Sequence, residues 1–232
     1  MKILDVKQGG VDWFNARLGR PTASHFAAIV LPDGRPTSAL AVSLKARRTY
    51  AAQLLAERLT GKPTDTFVTP AMQRGTDLEP RGRAYWELER GAKAIVTGFV
   101  TTDDGRAGCS PDWLCDGGGG ECKCPQDSNL IKLLLADEDD AVSDYAMQVQ
   151  GCMWVCARPW WDLVLFTDTP GIPNRIIRIE RDLELMQAFN EEIYRFCDEL
   201  DASEKVLRAM GGGVDLGAGL RDQYAELTGE EK

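Results

Sequence analysis

Cys109-Ser110-Pro111-Asp112-Trp113-Leu114-Cys115-Asp116-Gly117-Gly118-Gly119-Gly120-Glu121-Cys122-Lys123-Cys124-Pro125 is the stretch on which the reading of this sequence turns. Asp116 and the glycines after it mark a turn between a strand containing Trp113-Leu114-Cys115 and one containing Glu121-Cys122-Lys123-Cys124. Side chains alternate along a strand, so Glu121 and Lys123 share a face while Cys122 points away and offers that face only its backbone carbonyl. The turn brings Asp112 toward Glu121. Two carboxylates beside an ammonium suit phosphodiester cleavage, in which carboxylate-held divalent metal supplies an activated water and neutralises charge. E-x-K alone is common, and an exposed Glu and Lys on a strand is its ordinary meaning. Ser110-Pro111-Asp112 and the glycine turn tilt the reading toward a site.

Working outward, Leu40, Leu44, Tyr50, Leu54, Leu55 and Leu59 predict a helix over 38–60, ending near Gly61-Lys62-Pro63. A second helix runs from Ala71 or Thr76 to Arg90 and closes at Gly91. Residues 94–125 read as a meander of short strands, with a hairpin turn at Asp103-Asp104-Gly105. Beyond an acidic loop, Asp137-Glu138-Asp139-Asp140, Ser143 caps a helix whose apolar stripe is Tyr145, Val149, Cys152, Met153 and Cys156, with Gln148 at its edge. Residues 160–167 and 174–180 read as strands, and 182–210 as a long amphipathic helix. The expected organisation is one domain over 1–210 and a loose polar tail over 211–232.

Composition narrows the function. A chain of 232 residues, 44% hydrophobic, can bury one substantial core, and it has no apolar run long enough to span a membrane and no export leader at Met1-Lys2-Ile3-Leu4-Asp5. The expectation is a cytoplasmic protein. Seven cysteines is an odd count for a disulfide framework, so reduced thiols are expected. Cys109, Cys115, Cys122 and Cys124 cluster in sequence, but their C-x5-C and C-x-C spacings are not those of a zinc or iron-sulfur site, and packing is the expected role. The single histidine, His25, excludes mechanisms needing several imidazoles and reads as an ordinary packed or half-exposed residue. Net charge is −9, yet residues 1–60 carry nine Lys or Arg against four Asp or Glu, and the other 172 carry 18 against 32. A basic region beside clustered carboxylates suits an enzyme that binds a polyanion; a solvated basic helix around Lys45-Ala46-Arg47-Arg48 is the plainer alternative.

Six segments, in order, resemble the PD-(D/E)XK nuclease superfamily and, within it, the lambda-exonuclease-like viral recombinases or alkaline exonucleases. They are Gln8 to Trp13 with Ala16 to Ser24; Arg74-Gly75-Thr76-Asp77-Leu78-Glu79-Pro80; Cys109 to Asp112; Glu121 to Pro125; Tyr145 to Gln150 with Met153-Trp154-Val155; and Ile179-Glu180-Arg181-Asp182. The resemblance implies an α/β fold with a central mixed sheet flanked by helices. It implies that Asp112, Glu121 and the Cys122 carbonyl ligate Mg²⁺, two ions with Mn²⁺ able to substitute, and that Glu79 joins them directly or through water. Lys123 would act on the attacking water, Gln148 would line the site, and Arg17 and Ser24 would hold a 5′ phosphate. The implied activity is 5′-to-3′ digestion of one strand of a duplex to mononucleotides, leaving a 3′ overhang for phage-type recombination. The implied partners are duplex DNA ends, a single-strand annealing protein and two further copies in a homotrimeric ring.

Taken singly, these residues have plainer readings. Glu79 fits a Thr76-x-x-Glu79 capping box, Ser24 fits an N-cap, Arg17 a surface charge, and Gln148 alone is unremarkable. Two rival functions stand: an endonuclease of the same superfamily, and a non-catalytic DNA-end-binding protein. Gly120 and Cys122 depart from the aliphatic residues usual in the E-x-K strand, which implies a shorter or looser strand at Gly120.

Overall fold

The computed structural model describes residues 1–31, 33–35, 41–64 and 69–211. The expected helix start at Ser38 and the tail from 212 onward lie outside these residues. Strand β1 (Lys2–Leu4) and helix α1 (Val11–Arg17) lead into a 3-10 segment, Ala23–Ala28. Helices α2 (Ala41–Thr60) and α3 (Pro70–Arg90) precede strands β2 (Phe99–Thr101), β3 (Gly108–Cys109), β4 (Trp113–Cys115) and β5 (Gly118–Lys123). Helices α4 (Asp127–Leu135), α5 (Glu138–Val142) and α6 (Ala146–Cys156), strands β6 (Trp160–Leu165) and β7 (Arg175–Glu180), and helix α7 (Leu183–Gly211) complete the order.

A mixed sheet, β4-β5-β6-β7, forms the centre. Its outer pairs are antiparallel, but β5 and β6 run parallel, Glu121 opposite Leu163 and Lys123 opposite Leu165. Parallel neighbours need a long crossover, which α4, α5 and α6 provide. Strand β6 is buried on both faces and accordingly reads as a continuous apolar run broken only by Asp162. Leu78, Trp86, Trp113, Val164 and Phe166 pack α3 against the sheet. Leu130, Leu163, Leu165 and Ile177 seat α4. The largest cluster joins α6 and α7 to the 3-10 segment through Phe26, Met153, Phe189, Ile193 and Phe196. The fold is thus α/β with a central mixed sheet flanked by helices.

Several expectations change. The meander divides between two sheets: β2 and β3 pair in the antiparallel sheet β1-β2-β3, whereas β4 and β5 belong to the mixed one. The hairpin turn at Asp103-Asp104-Gly105 is present, with Gly105 at φ 77. The glycine run is mostly strand. Only Asp116 and Gly117 turn, Gly117 at φ 73, and Gly118, Gly119 and Gly120 pair within the sheet. A Cβ on these three would overlap the indoles of Trp160, Trp161 and Trp113 in turn. They are glycine because three tryptophans lie against the strand, so it is closely packed at Gly120, not looser.

The acidic loop also changes. Asp137 is the N-cap of α5, its carboxylate accepting the Asp140 N–H at 2.9 Å, and the other three acids fill that helix's first turn. Ser143 ends α5, while α6 starts after Tyr145. Helix α3 starts at Pro70, one residue before the Ala71 start and well before the Thr76 one. Thr69 is its N-cap, with Oγ1 accepting the Met72 N–H at 3.2 Å, so Thr76 and Glu79 lie within the helix and form no capping box. Arg47 is 5% exposed and paired at 2.6 Å with Glu199 of α7, and Arg58 is paired at 2.7 Å with Asp201. The charge separated along the sequence is therefore partly neutralised in space, because two basic residues of α2 meet the acids of α7.

Candidate active site

Asp112 lies just before β4, and Glu121 and Lys123 lie on one face of β5. The β4–β5 turn folds Asp112 back so that its Oδ2 accepts the Cys122 N–H at 2.6 Å. Lys123 Nζ donates to Glu121 Oε1 at 2.7 Å and to Gln148 Oε1 at 3.0 Å. Gln148, reaching in from α6, donates from Nε2 to the same Glu121 oxygen at 2.6 Å. One carboxylate oxygen thus receives both an ammonium and an amide. The other, Glu121 Oε2, is buried without a hydrogen-bond partner. An ionised oxygen in that setting is costly unless a cation or donor meets it.

The electrostatics point the same way. Burial raises the Asp112 pKa well above the usual carboxylate range, and the Glu121 and Glu79 charges raise it further. Glu79, on α3, is raised by burial, opposed by Arg83 at 3.4 Å and pushed up again by Glu121. Burial lowers the Lys123 pKa, but the charge and hydrogen bond of Glu121 outweigh it, so the group shifts upward and stays cationic. Three carboxylates share this corner with one ammonium.

The donor set fits a hard divalent cation. Glu121 offers its orphaned Oε2, and Asp112, whose pKa the Glu121 charge raises, offers a second carboxylate; Mg²⁺ keeps several waters, so two or three protein oxygens suffice. Among the described residues, no three His, Cys, Asp or Glu side chains are arranged to hold a metal ion by themselves, which leaves part of any coordination shell to backbone oxygen and water.

A second cluster holds Arg17 and Ser24, related through His25, which contacts Ser24 and feels the Arg17 charge, and reaching the first through Ser110, two residues before Asp112. Arg17 Nη1 donates to Ser110 Oγ at 3.0 Å, and Trp13 Nε1 donates to the same hydroxyl at 2.9 Å. The guanidinium lies 4.3 Å from the Trp13 ring centroid and 5.8 Å from that of Phe99. Burial lowers the Arg17 pKa, as expected for a desolvated cation held by rings and a hydroxyl instead of a carboxylate. Ser24 Oγ lies 3.3 Å from Thr22 Oγ1 and 3.1 Å from His25 Nδ1. The 3-10 segment has no side-chain cap, and its N-cap position is Thr22, so Ser24 is not an N-cap.

Ser110 and Trp13 belong to quoted motifs, but the sequence gives them no role beside Arg17, because only the fold shows that their side chains meet it. Other motif residues turn out to hold backbone. Gln8 Nε2 donates to the Pro111 carbonyl at 3.0 Å and to that of Thr97 at 3.1 Å, fixing the peptide next to Asp112. Arg74 Nη1 grips the carbonyls of Cys124 at 3.0 Å and Pro125 at 3.1 Å, pinning the end of β5. Gln150 donates to the Glu180 carbonyl at 2.9 Å and accepts the Asp182 N–H at 3.1 Å. Of the four clustered cysteines only Cys109 separates, lying 3.5 Å from Cys156 in the large core, while Cys115, Cys122 and Cys124 share the cluster beneath α3, with Cys122 3.8 Å from Cys124.

The YqaJ-like viral recombinase domain matches residues 12–159, a span that contains both clusters. No curated protein matches this chain. Among solved structures, the alkaline exonuclease LHK-Exo from Laribacter hongkongensis is 31% identical with a TM-score of 0.74, the match covering 88% of this chain and 99% of that one. A crystal structure of LHK-Exo in complex with dAMP gives 32% identity and a TM-score of 0.73 over the same shares. A phage-related exonuclease from Haemophilus somnus 129PT shares the fold at 15% identity and a TM-score of 0.61, over 90% of this chain and 97% of that one. With the domain match spanning most of the chain and the alkaline exonuclease LHK-Exo matched over 88% of it, this protein belongs to the YqaJ-like viral recombinase family and is a nuclease of the alkaline-exonuclease kind.

Proposed function

We propose that this protein is a Mg²⁺-dependent exonuclease that digests one strand of linear duplex DNA from its 5′ end to mononucleotides, leaving a 3′ overhang for recombination by strand annealing. The observation that carries this reading is the convergence of Lys123 and Gln148 on one Glu121 oxygen whose partner oxygen is buried without a hydrogen bond, with Asp112 close enough for the Glu121 charge to raise its pKa. Asp112 and Glu121 would hold the metal, with the Cys122 carbonyl, and with Glu79 directly or through water. When bound, the metal supplies an activated water and neutralises charge on the scissile phosphate and leaving oxygen.

The side chains supply the rest. Lys123, held cationic by Glu121, offers its remaining N–H to the attacking water or a phosphate oxygen and screens the charge that develops there. Gln148 keeps Lys123 and Glu121 in register by bonding to both. Arg17, desolvated among rings, grips the terminal 5′ phosphate together with Ser24, and Ser110 joins them: its Oγ accepts from Arg17 and Trp13, which leaves its own proton free to donate. A homotrimeric ring, an annealing-protein partner and a place in the cytoplasm of a bacterial host complete the proposal, and these rest on family membership alone.

The test is digestion of a linear duplex labelled separately at each end, with and without Mg²⁺. Loss of the 5′ label as mononucleotide, only with the metal, is the expected result. Cleavage of closed circular DNA would instead favour an endonuclease, and metal-independent binding without any digestion would favour an end-binding protein.

A further inference from the structure

We propose that His25 is a positioning residue of the end-recognition pocket: its Nδ1–H donates to Ser24 Oγ and so frees the Ser24 proton for the 5′ phosphate. The inference rests on the reading that Arg17 and Ser24 hold that phosphate.

The argument is one of hydrogen-bond direction. His25 Nδ1 lies 3.1 Å from Ser24 Oγ, and Thr22 Oγ1 lies 3.4 Å from the same nitrogen and 3.3 Å from the same hydroxyl. Either Ser24 or His25 can be the donor in their contact. A serine hydroxyl has one proton, whereas the oxygens of an ionised phosphate monoester only accept. If Nδ1 takes the Ser24 proton, none is left for the phosphate. Phosphate binding therefore selects the imidazole that carries hydrogen on Nδ1, and Ser24 then accepts from His25 while donating outward.

The imidazole is held where this choice matters. Its ring stacks on Tyr50 with centroids 4.8 Å apart and planes 14° apart, and Tyr50 stacks in turn on Phe196 at 5.9 Å and 10°. Tyr50 is buried, and its hydroxyl accepts the Thr22 N–H at 3.0 Å, so the stack is tied to the same turn that carries Ser24. Arg17 of α1 and Glu57 of α2 are the charged groups that act on the ring. Burial and Arg17 lower the His25 pKa and Glu57 opposes them, so at neutral pH the ring is uncharged and has a single N–H to place.

Two substitutions separate hydrogen bonding from packing. His25→Asn keeps a nitrogen donor near the Nδ1 position and loses the ring, whereas His25→Phe keeps the ring on Tyr50 and loses the nitrogen. The readout is the ratio of digestion rates on 5′-phosphorylated and 5′-hydroxyl linear duplexes, taken within each variant so that a smaller folded fraction cancels. Wild type and His25→Asn are expected to prefer phosphorylated ends, and His25→Phe to lose roughly tenfold of that preference. Any result in which His25→Asn discriminates no better than His25→Phe overturns the proposal. A wild-type protein indifferent to the end group removes the pocket itself, and that failure is seen before any substitution is made.

Discussion

Gly82 of α3 packs directly against Cys122 of β5, and a methyl group on Gly82 would overlap the Cys122 sulfur. The helix lies this close to the strand because position 82 has no side chain. Three residues earlier on the same helix, Glu79 is near enough for its charge to raise the Asp112 pKa. Gly82→Ala should therefore lift α3 away from the sheet. The expected cost is about 1–3 kcal/mol of stability, as for other overpacked sites, together with reduced digestion of duplex DNA. Thermal unfolding and nuclease rate check it together; an unchanged melting temperature and rate would show that the interface yields freely.

Asp112→Asn and Glu121→Gln should each lower Mg²⁺-dependent digestion by at least about a hundredfold, since each removes metal-binding charge. Release of acid-soluble nucleotide measures this, and near-normal activity in either purified variant would sink the site assignment.

Asp112→Asn should also stabilise the chain in metal-free buffer. The folded-state pKa of Asp112 lies above its unfolded value, through burial first and then the Glu121 and Glu79 charges. Its contribution to stability is thus fully present below the unfolded pKa and lost as pH rises through the folded one. The neutral amide has no such loss. Unfolding curves of wild type and variant should separate as pH rises above the ordinary carboxylate range, and parallel curves would contradict this.

Asp162 lies within the sheet, fully buried, and accepts from Arg178 Nε at 2.5 Å, Trp86 Nε1 at 2.8 Å and Arg90 Nε at 3.1 Å. Burial raises its pKa, but the Arg178 and Trp86 hydrogen bonds outweigh it, and the net shift is downward. The stability it contributes is present above the unfolded carboxylate pKa and lost as pH falls through the lower folded value. Asp162→Ala should cost about 1.5–3 kcal/mol at neutral pH, because it removes hydrogen bonds to a buried carboxylate and leaves the buried Trp86 N–H without its acceptor, while the half-exposed arginines turn to solvent. Denaturant melts of the two proteins should converge on acidification; a constant difference down to strongly acid pH would argue against the network.

Arg17→Ala should abolish most of the preference for phosphorylated ends while slow digestion continues. A hydrogen bond to a charged group is worth about 1.5–3 kcal/mol, on the order of ten- to a hundredfold in rate. Equal rates on phosphorylated and hydroxyl ends in the wild type would remove the basis for the pocket.

What the sequence makes legible is local. Glu121 and Lys123 are two residues apart, and strand alternation alone puts them on one face. Gln148 and Glu79 approach from helices distant in sequence, so only the resemblance brought them to the site. Positions whose neighbours come from elsewhere in the chain are not legible locally. Gly118 to Gly120 read as a turn because Trp160 and Trp161, which cover Gly118 and Gly119, come from β6 on the far side of the helical crossover. Arg47 resembled part of a basic surface because Glu199 lies 152 residues away. Leu130, Leu133 and Leu134 mark the apolar side of helix α4, which the sequence reading does not include, and β1 is too short for a periodic pattern.

Ser110 accepts from both Trp13 and Arg17, and Asp112 follows it by two residues. An extended chain covers roughly 7 Å in two residues. On the proposed reading, the group that grips the strand terminus and the group that serves the chemistry are set at a short, fixed interval on one piece of backbone. Such an arrangement acts as a ruler: product length is determined by the interval, and each cut presents a fresh terminal phosphate to be gripped in its turn.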